Sequence, residues 1–420
     1  MPIAYRLSCP TSGVKGTIIL EPSKSISNRA LIIRSLCTES FDIHGLSASD
    51  DTRALQAMLA AEGDTLHSGH AGSSYRFMVA RACLGDREVT LDASEQLKRR
   101  PIGPLVKALQ TLGADITYLR KEGFPPLHIK PVKDLGAAVH EVTLQAGVSS
   151  QYLTALLLIA PALPNGLTIH LVGPLVSASY VQMTLAMMHY FGVEHTWSGQ
   201  TIRIEPGVYT PKPFSVEGDW SAASYYYSMV ALAEEADLII NGLRPESIQG
   251  DAIVSELFKV FGVETEFIPE GIHIRKTGSV SRSIRFEHDC TMCPDIAQTL
   301  MVTLAGLGIR GLLSGLNTLR IKETDRIQAM VTELARVHTQ VMVKESNDDV
   351  AVDIAGKAKW KDRAKFHTYD DHRMAMSLMP LACIHPIVIK DPDVVSKSYP
   401  GFWKDIETIG IKVEKIKVKE

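Results

Sequence analysis

The sequence predicts an α/β fold of six repeating units grouped three and three. The first observation behind this is a local pattern that recurs along the chain: an amphipathic helix, a glycine or equivalent breaker, a β-branched strand, a turn and a second strand. The second is the interval between copies, roughly 50–80 residues, which is too long for a solenoid and too regular for chance. The third is size: 420 residues, 45% of them apolar, suffice for two cores, each in a domain of about 200 residues.

The clearest copies are Thr111-Leu112-Gly113-Ala114-Asp115-Ile116, Tyr190-Phe191-Gly192-Val193-Glu194 and Val260-Phe261-Gly262-Val263-Glu264. Weaker ones centre on Gly63, His338 and Gly410. A glycine there suits a helix C-cap with a left-handed backbone, from which the chain turns into a strand. His338 departs from that logic. No Pro/Gly/Ser-rich linker separates the halves, so the boundary is expected between Gly192 and Gly262, near Glu217-Gly218-Asp219.

Near the N-terminus, Thr17-Ile18-Ile19-Leu20 reads as a short buried strand, followed by Glu21-Pro22-Ser23-Lys24-Ser25-Ile26-Ser27-Asn28-Arg29-Ala30. Ile26, Ala30, Ile33 and Cys37 share one helical face, with Pro22 and the serines at the entrance. Unpaired backbone N–H groups and the helix dipole attract an anion at such an entrance, and Lys24 and Arg29 add full charges. Other polar clusters also precede apolar runs: Gly72-Ser73-Ser74-Tyr75-Arg76, Ser149-Ser150-Gln151, Ser177-Ala178-Ser179-Tyr180, Glu217-Gly218-Asp219-Trp220-Ser221, Cys293-Pro294-Asp295, Lys322-Glu323-Thr324-Asp325-Arg326 and Asp370-Asp371-His372-Arg373. Ser and Asp are ordinary N-caps. Cations there oppose the dipole at a cost of a few tenths to about 1 kcal/mol each. Their recurrence in Lys24, Arg76, Arg326 and Arg373 predicts a shared anion site. Arg100, in Leu97-Lys98-Arg99-Arg100-Pro101-Ile102-Gly103, and Lys397, in Ser396-Lys397-Ser398-Tyr399-Pro400, extend the set. Asp295 and Glu323 are the carboxylates available for acid–base work inside that positive field.

The net charge of −3 gives no general pull toward nucleic acid or anionic membrane. The N-terminal residues lack the apolar core of a signal peptide and no run is long enough to span a membrane, so a cytoplasmic location is expected. Six scattered cysteines do not form a secreted disulfide framework. His288-Asp289-Cys290-Thr291-Met292-Cys293 has a spacing that admits zinc, but no second CxxC or HxxxH completes a tetrahedral shell, so no metal is expected.

With these residues in hand, the chain resembles the 5-enolpyruvylshikimate-3-phosphate synthases from about Gly16 to Trp403. The resemblance rests on Ser23 to Ala30, Arg100-Pro101-Ile102-Gly103, Ser149-Ser150-Gln151-Tyr152-Leu153-Thr154-Ala155, Val216-Glu217-Gly218-Asp219, Lys322 to Arg326 and Asp371-His372-Arg373-Met374-Ala375-Met376. It implies a two-lobed inside-out α/β barrel of six βαβαββ repeats, three per lobe, with helices inside, sheets outside and the active cleft between lobes. Residues 1–19 with 218–420 would form a discontinuous lobe and residues 20–217 the other.

The implied activity is transfer of the enolpyruvyl group of phosphoenolpyruvate to the 5-hydroxyl of shikimate 3-phosphate, by addition and elimination with loss of phosphate. By the same resemblance Lys24, Ser25, Arg29, Ser149, Ser150, Gln151, Ser177, Tyr180, Asp295, Thr318 and Lys322 bind shikimate 3-phosphate. Lys24, Gly72, Arg100, Gln151, Arg326, Arg373 and Lys397 bind phosphoenolpyruvate. Asp295 and Glu323 move protons, with Lys24 close to the reacting atoms. No cofactor is implied, and a monomer is expected. The family's usual Asn-Ala-Gly-Thr-Ala-Met-Arg-Pro appears here as His70-Ala71-Gly72-Ser73-Ser74-Tyr75-Arg76-Phe77, and Thr318 stands where an asparagine is common. The alternatives are an enolpyruvyl transferase acting on UDP-N-acetylglucosamine, whose usual reactive cysteine is lacking between Leu91 and Gly103, and a non-catalytic phosphometabolite-binding protein.

Overall fold

A computed structural model describes residues 3–418 except 146, 148, 279, 281–283, 347–348 and 361–363. The chain divides into two compact units, Met1–Pro22 with Glu217–Glu420, and Ser23–Val216.

In the first unit three four-stranded sheets share one topology. Strand Arg285–Asp289 runs parallel to Arg310–Ser314, which pairs antiparallel with Val350–Ala355, itself antiparallel to Gln340–Glu345. Val14–Ile19, Ala236–Asn241, Gly271–Lys276 and Val263–Ile268 repeat that order. So do Lys365–Phe366, Ile387–Lys390, Ile3–Ser8 and Lys412–Lys417. The N-terminal strand thus completes the last sheet, and the whole second unit is inserted after Val14–Ile19, before the helix Trp220–Leu232 of the same repeat.

The second unit has two such sheets: Thr65–His67, Val89–Asp92, Leu127–Lys130 and Asp115–Tyr118, then Glu141–Gln145, Leu167–Val172, Thr201–Ile204 and His195–Ser198. Among the described residues its third sheet has only Phe214–Ser215 parallel to Ile43–His44. The missing hairpin is explained around Gly63. Helix Asp50–Ala60 ends at an extended Ala61, Gly63 is not left-handed, and Thr65–His67 opens the next sheet instead. Gly113, Gly192, Gly262 and Gly410 do take positive φ (100°, 83°, 74° and 100°), and His338 substitutes for a glycine by taking φ 57° itself.

Sheets in these units bury one face while several helices are buried all round, the mark of helices inside and sheets outside. Every residue of Trp220–Leu232 is buried, as is Tyr152–Ile159 within the helix Ser150–Ile159. Small hydroxyl residues let helices approach: Ser224 meets Thr299 at 3.0 Å and Ser228 meets Thr303 at 2.8 Å, Oγ to Oγ1. The strand expected at Thr17–Leu20 begins earlier, at Val14, and is buried on one face only. Ile18 and Leu20 point inward while Ile19 is 78% exposed. The helix Lys24–Leu36 is buried continuously from Ile26 to Ile33, polar residues included, rather than along one stripe. Among the described residues no helix is long and apolar enough to cross a membrane.

Candidate active site

In the second unit four helix entrances are tied together by their own polar side chains. Ser23 caps Lys24–Leu36 by accepting from Ile26 N at 3.5 Å. One turn on, Asn28 Nδ2 donates to Ser74 Oγ at 3.2 Å, in the first turn of Gly72–Ala82. Gln151 Nε2 donates to Ser73 Oγ at 3.0 Å, and Ser149 caps its own helix by accepting from Gln151 N. Arg29 reaches the start of Ala178–Tyr190, donating to Tyr180 O at 3.1 Å and to Thr184 Oγ1 at 2.9 Å, with further bonds to Ser25 O and Thr154 Oγ1.

Arg29 is only 4% exposed, and every one of these partners is neutral. Burial lowers its pKa to about 10. A buried cation whose partners are all neutral is costly, a cost that a bound anion would offset. Lys24, the first helical residue, lies 3.6 Å from Asp51 Oδ2. Gly72 permits a close approach: a Cβ there would stand 2.7 Å from Arg100 Nη1 and 2.9 Å from Arg76 Nη1. Arg76 itself donates to Gly72 O and Pro101 O, so it organises the backbone around the Arg100 turn. Ser177 is buried and left-handed at φ 56° without capping its helix, a strained conformation of the kind found at ligand sites. Gln151 Oε1 is buried and has no hydrogen-bond partner among the described residues.

In the first unit a compact ionic network joins three helix entrances. Asp295 lies in the turn Pro294–Ile296 before Ala297–Leu307, Asp325 caps Arg326–Ala335, and Asp371 caps His372–Leu378. Arg326 Nη1 is 3.1 Å from Asp295 Oδ1, its Nη2 2.9 Å from Glu323 Oε2 and its Nε 2.7 Å from Asp371 Oδ2. Arg373 Nη2 is 3.1 Å from Asp295 Oδ2, and Lys322 Nζ is 3.7 Å from Asp295 Oδ1. Asp295 is therefore enclosed by Lys322, Arg326 and Arg373. Burial lowers the Lys322 pKa, against the pull of Asp295. Burial also works against the Arg326 charge, but Asp371, Glu323 and Asp295 together hold its pKa above the usual value.

The expectation that Arg326 opposes its helix dipole for the sake of a ligand is thus modified: the chain supplies its own carboxylates. Asp371 belongs to the polar cluster Asp370-Asp371-His372-Arg373, and no sequence pattern pairs it with Arg326. Its position just before a helix entrance, two residues ahead of Arg373, was the available signal. Asp251, also unforeseen, accepts a short hydrogen bond from Ser221 Oγ. Burial first, then Asp295, pushes its pKa up to about 7.

Lys397 ends the turn Pro392–Lys397 and donates to Asp370 O at 2.6 Å. Thr318 is buried in the turn Asn317–Ile321, its Oγ1 without a hydrogen-bond partner among the described residues. Of the remaining site residues, Ser25 and Ser150 are half-buried in the first turns of their helices.

Residues 53–406 match the family described as EPSP synthase (3-phosphoshikimate 1-carboxyvinyltransferase). A 3-phosphoshikimate 1-carboxyvinyltransferase of Bacteroides fragilis is 41% identical over 412 residues, covering 98% of each chain. One of Shewanella sediminis is 34% identical over 432 residues, covering 95% of this chain and 98% of its own. An EPSP synthase structure from Acinetobacter baumannii superposes with a TM-score of 0.77 at 20% identity, covering 98% of this chain and all of that one, which shows the shared fold. On the length of the family match and the identity to full-length relatives, the chain belongs to the EPSP synthase (3-phosphoshikimate 1-carboxyvinyltransferase) family.

Proposed function

We propose that the chain transfers the enolpyruvyl group of phosphoenolpyruvate to the 5-hydroxyl of shikimate 3-phosphate and releases phosphate. The observation that carries this reading is the Asp295 carboxylate beside Lys322, Arg326 and Arg373. Acid–base chemistry between two anions needs a carboxylate placed among the cations that hold them.

In this reading the site residues divide between the two substrates. Lys24, Ser25, Arg29, Ser149, Ser150, Gln151, Ser177, Tyr180, Thr318 and Lys322 hold shikimate 3-phosphate. Gly72, Arg100, Arg326, Arg373 and Lys397, with Lys24 and Gln151, hold phosphoenolpyruvate. The incoming carboxylate and phosphate compete with Asp295 for Arg326 and Arg373. Asp295 then takes the proton of the 5-hydroxyl as its oxygen attacks C2, while Glu323 delivers a proton to C3. In the second step Glu323 removes a proton from the new methyl group and phosphate leaves with the proton that Asp295 took, its remaining charge met by the cations. No organic cofactor or catalytic metal takes part, and a cytoplasmic monomer fits the same reading.

Phosphate release from phosphoenolpyruvate, assayed with each acceptor, tests the proposal. Release that depends on shikimate 3-phosphate is expected; release only with UDP-N-acetylglucosamine, or with neither, overturns it.

A further inference from the structure

The segment His288 to Cys293 plays no part in the transfer chemistry, yet the fold draws its donor atoms together. His288 lies on strand Arg285–Asp289, registered opposite Leu313. The strand ends where Asp289 accepts from Thr291 N at 2.9 Å and from Thr291 Oγ1 at 2.6 Å, which starts a tight turn over Cys290–Met292. Cys293 N then donates to Cys290 O at 3.0 Å, which closes the Cys-x-x-Cys turn. His288 Nε2 is 3.3 Å from Cys293 Sγ. One ligand atom from each of His288, Cys290 and Cys293 lies within 4.8 Å of the others.

A tetrahedral zinc ion, with bonds of about 2.3 Å to sulfur and about 2.0 Å to nitrogen, keeps its donors roughly 3.5–3.8 Å apart. The imidazole–thiol separation is already close to that, and the remaining closure is within reach of side-chain rotation. Cys290 and Cys293 are 0% and 2% exposed while the imidazole is half-exposed, which gives buried ligands with a way in for the ion. Two sulfurs and one imidazole suit a thiophilic ion and do not suit magnesium or calcium.

We propose that His288, Cys290 and Cys293 bind one thiophilic divalent cation, zinc being the ion that suits this donor set best, with water in the fourth position. The lack of a second Cys-x-x-Cys counts against a local four-cysteine site and not against this three-ligand one. On binding, both thiols lose their protons to solvent and two thiolate–metal bonds form. The ion ties the end of the strand to the turn that continues through Pro294 to Asp295, so its effect is to stabilise that segment. It takes no part in the transfer reaction.

The test uses the full chain, purified with a phosphine reductant, stripped with a chelator and titrated with zinc chloride and cobalt chloride. One equivalent per chain is expected, with affinity of roughly micromolar or tighter, a thiolate-to-cobalt charge-transfer band in the near ultraviolet, and a rise in the thermal midpoint on adding zinc. Cys290→Ser, Cys293→Ser and His288→Gln should each weaken binding at least about a hundredfold, the upper end of what even an outer-sphere change costs. His288→Gln alters a half-exposed ring and guards against a cysteine variant that fails to fold. The proposal is overturned if the reduced chain binds no metal, if the cobalt form lacks the thiolate band, or if His288→Gln and the double cysteine variant bind zinc as the parent does. A Cys290–Cys293 disulfide in place of metal binding also overturns it.

Discussion

Arg326 Nε lies 2.7 Å from Asp371 Oδ2 in a contact almost shut off from water, the side chains being 2% and 0% exposed. The same aspartate caps the helix His372–Leu378 by accepting from Arg373 N at 2.9 Å. One carboxylate thus fixes both arginines of the cluster, one by charge and one through its backbone. Asp371→Ala should remove the cap and one of the three carboxylates that face the buried Arg326 guanidinium, lowering stability by about 2–4 kcal/mol. Asp371→Asn, which keeps a capping oxygen, should cost less. Urea midpoints of the two variants against the parent check this, and equal midpoints for Asp371→Ala and the parent would contradict it.

Arg29 presents the opposite case, a buried cation whose partners are all neutral. Replacing it by methionine removes the desolvation cost and fills most of the volume. Arg29→Met without ligand should unfold within about 1 kcal/mol of the parent, on either side. Its affinity for shikimate 3-phosphate should fall about ten- to a hundredfold or more, the worth of charge-assisted hydrogen bonds to an anion. Calorimetric titration and thermal unfolding separate the two effects. A large loss of stability with unchanged affinity would make Arg29 a structural residue.

Asp251 gives the chain a pH signature. Burial and the neighbouring Asp295 push its pKa up to about 7, with Arg373 and the Ser221 hydrogen bond opposing. Unfolded, it loses its proton near the ordinary aspartate value of about 3.9. Between those values the native state holds a proton that the unfolded state has released, so this residue's contribution is full below about pH 4 and is lost as pH rises to about 7. Asp251→Asn keeps the oxygen facing Ser221 and cannot ionise. The variant should match the parent near pH 4.5 and exceed it near pH 7.5, by on the order of a few kcal/mol. Parallel urea midpoints at both pH values would refute the assignment.

Much of this was legible because glycines and polar residues at helix ends obey local rules. Gly113, Gly192, Gly262 and Gly410 mark helix-to-strand turns by a backbone conformation that favours glycine. Gly63 misled because a glycine beside a helix end need not be its cap. The site was readable as positions and not as partnerships. Lys24, Arg326 and Arg373 stand at helix starts in the sequence, but that Arg326 meets three carboxylates and Arg29 none depends on how helices distant along the chain meet. Buried polar residues such as Glu333, which accepts from His367 N and Tyr369 O–H, also escape a reading by hydrophobic period.

Asp295 allows the sharpest separation of catalysis from binding. Its oxygens occupy Lys322, Arg326 and Arg373, so removing its charge frees those cations for an incoming anion while withdrawing the base. Asp295→Asn should therefore bind phosphoenolpyruvate as tightly as the parent or more tightly, yet turn over about 10²–10⁴-fold more slowly, the usual worth of a general base. Lys24→Ala, which leaves Asp51 without its 3.6 Å partner, should lose turnover and affinity together while remaining folded by circular dichroism. Rapid-quench measurement of the chemical step with ligand affinity by fluorescence distinguishes the two patterns. If Asp295→Asn turned over at the parent rate, the proton would have to go elsewhere, and Asp295 would be left as a positioning residue for Arg326 and Arg373.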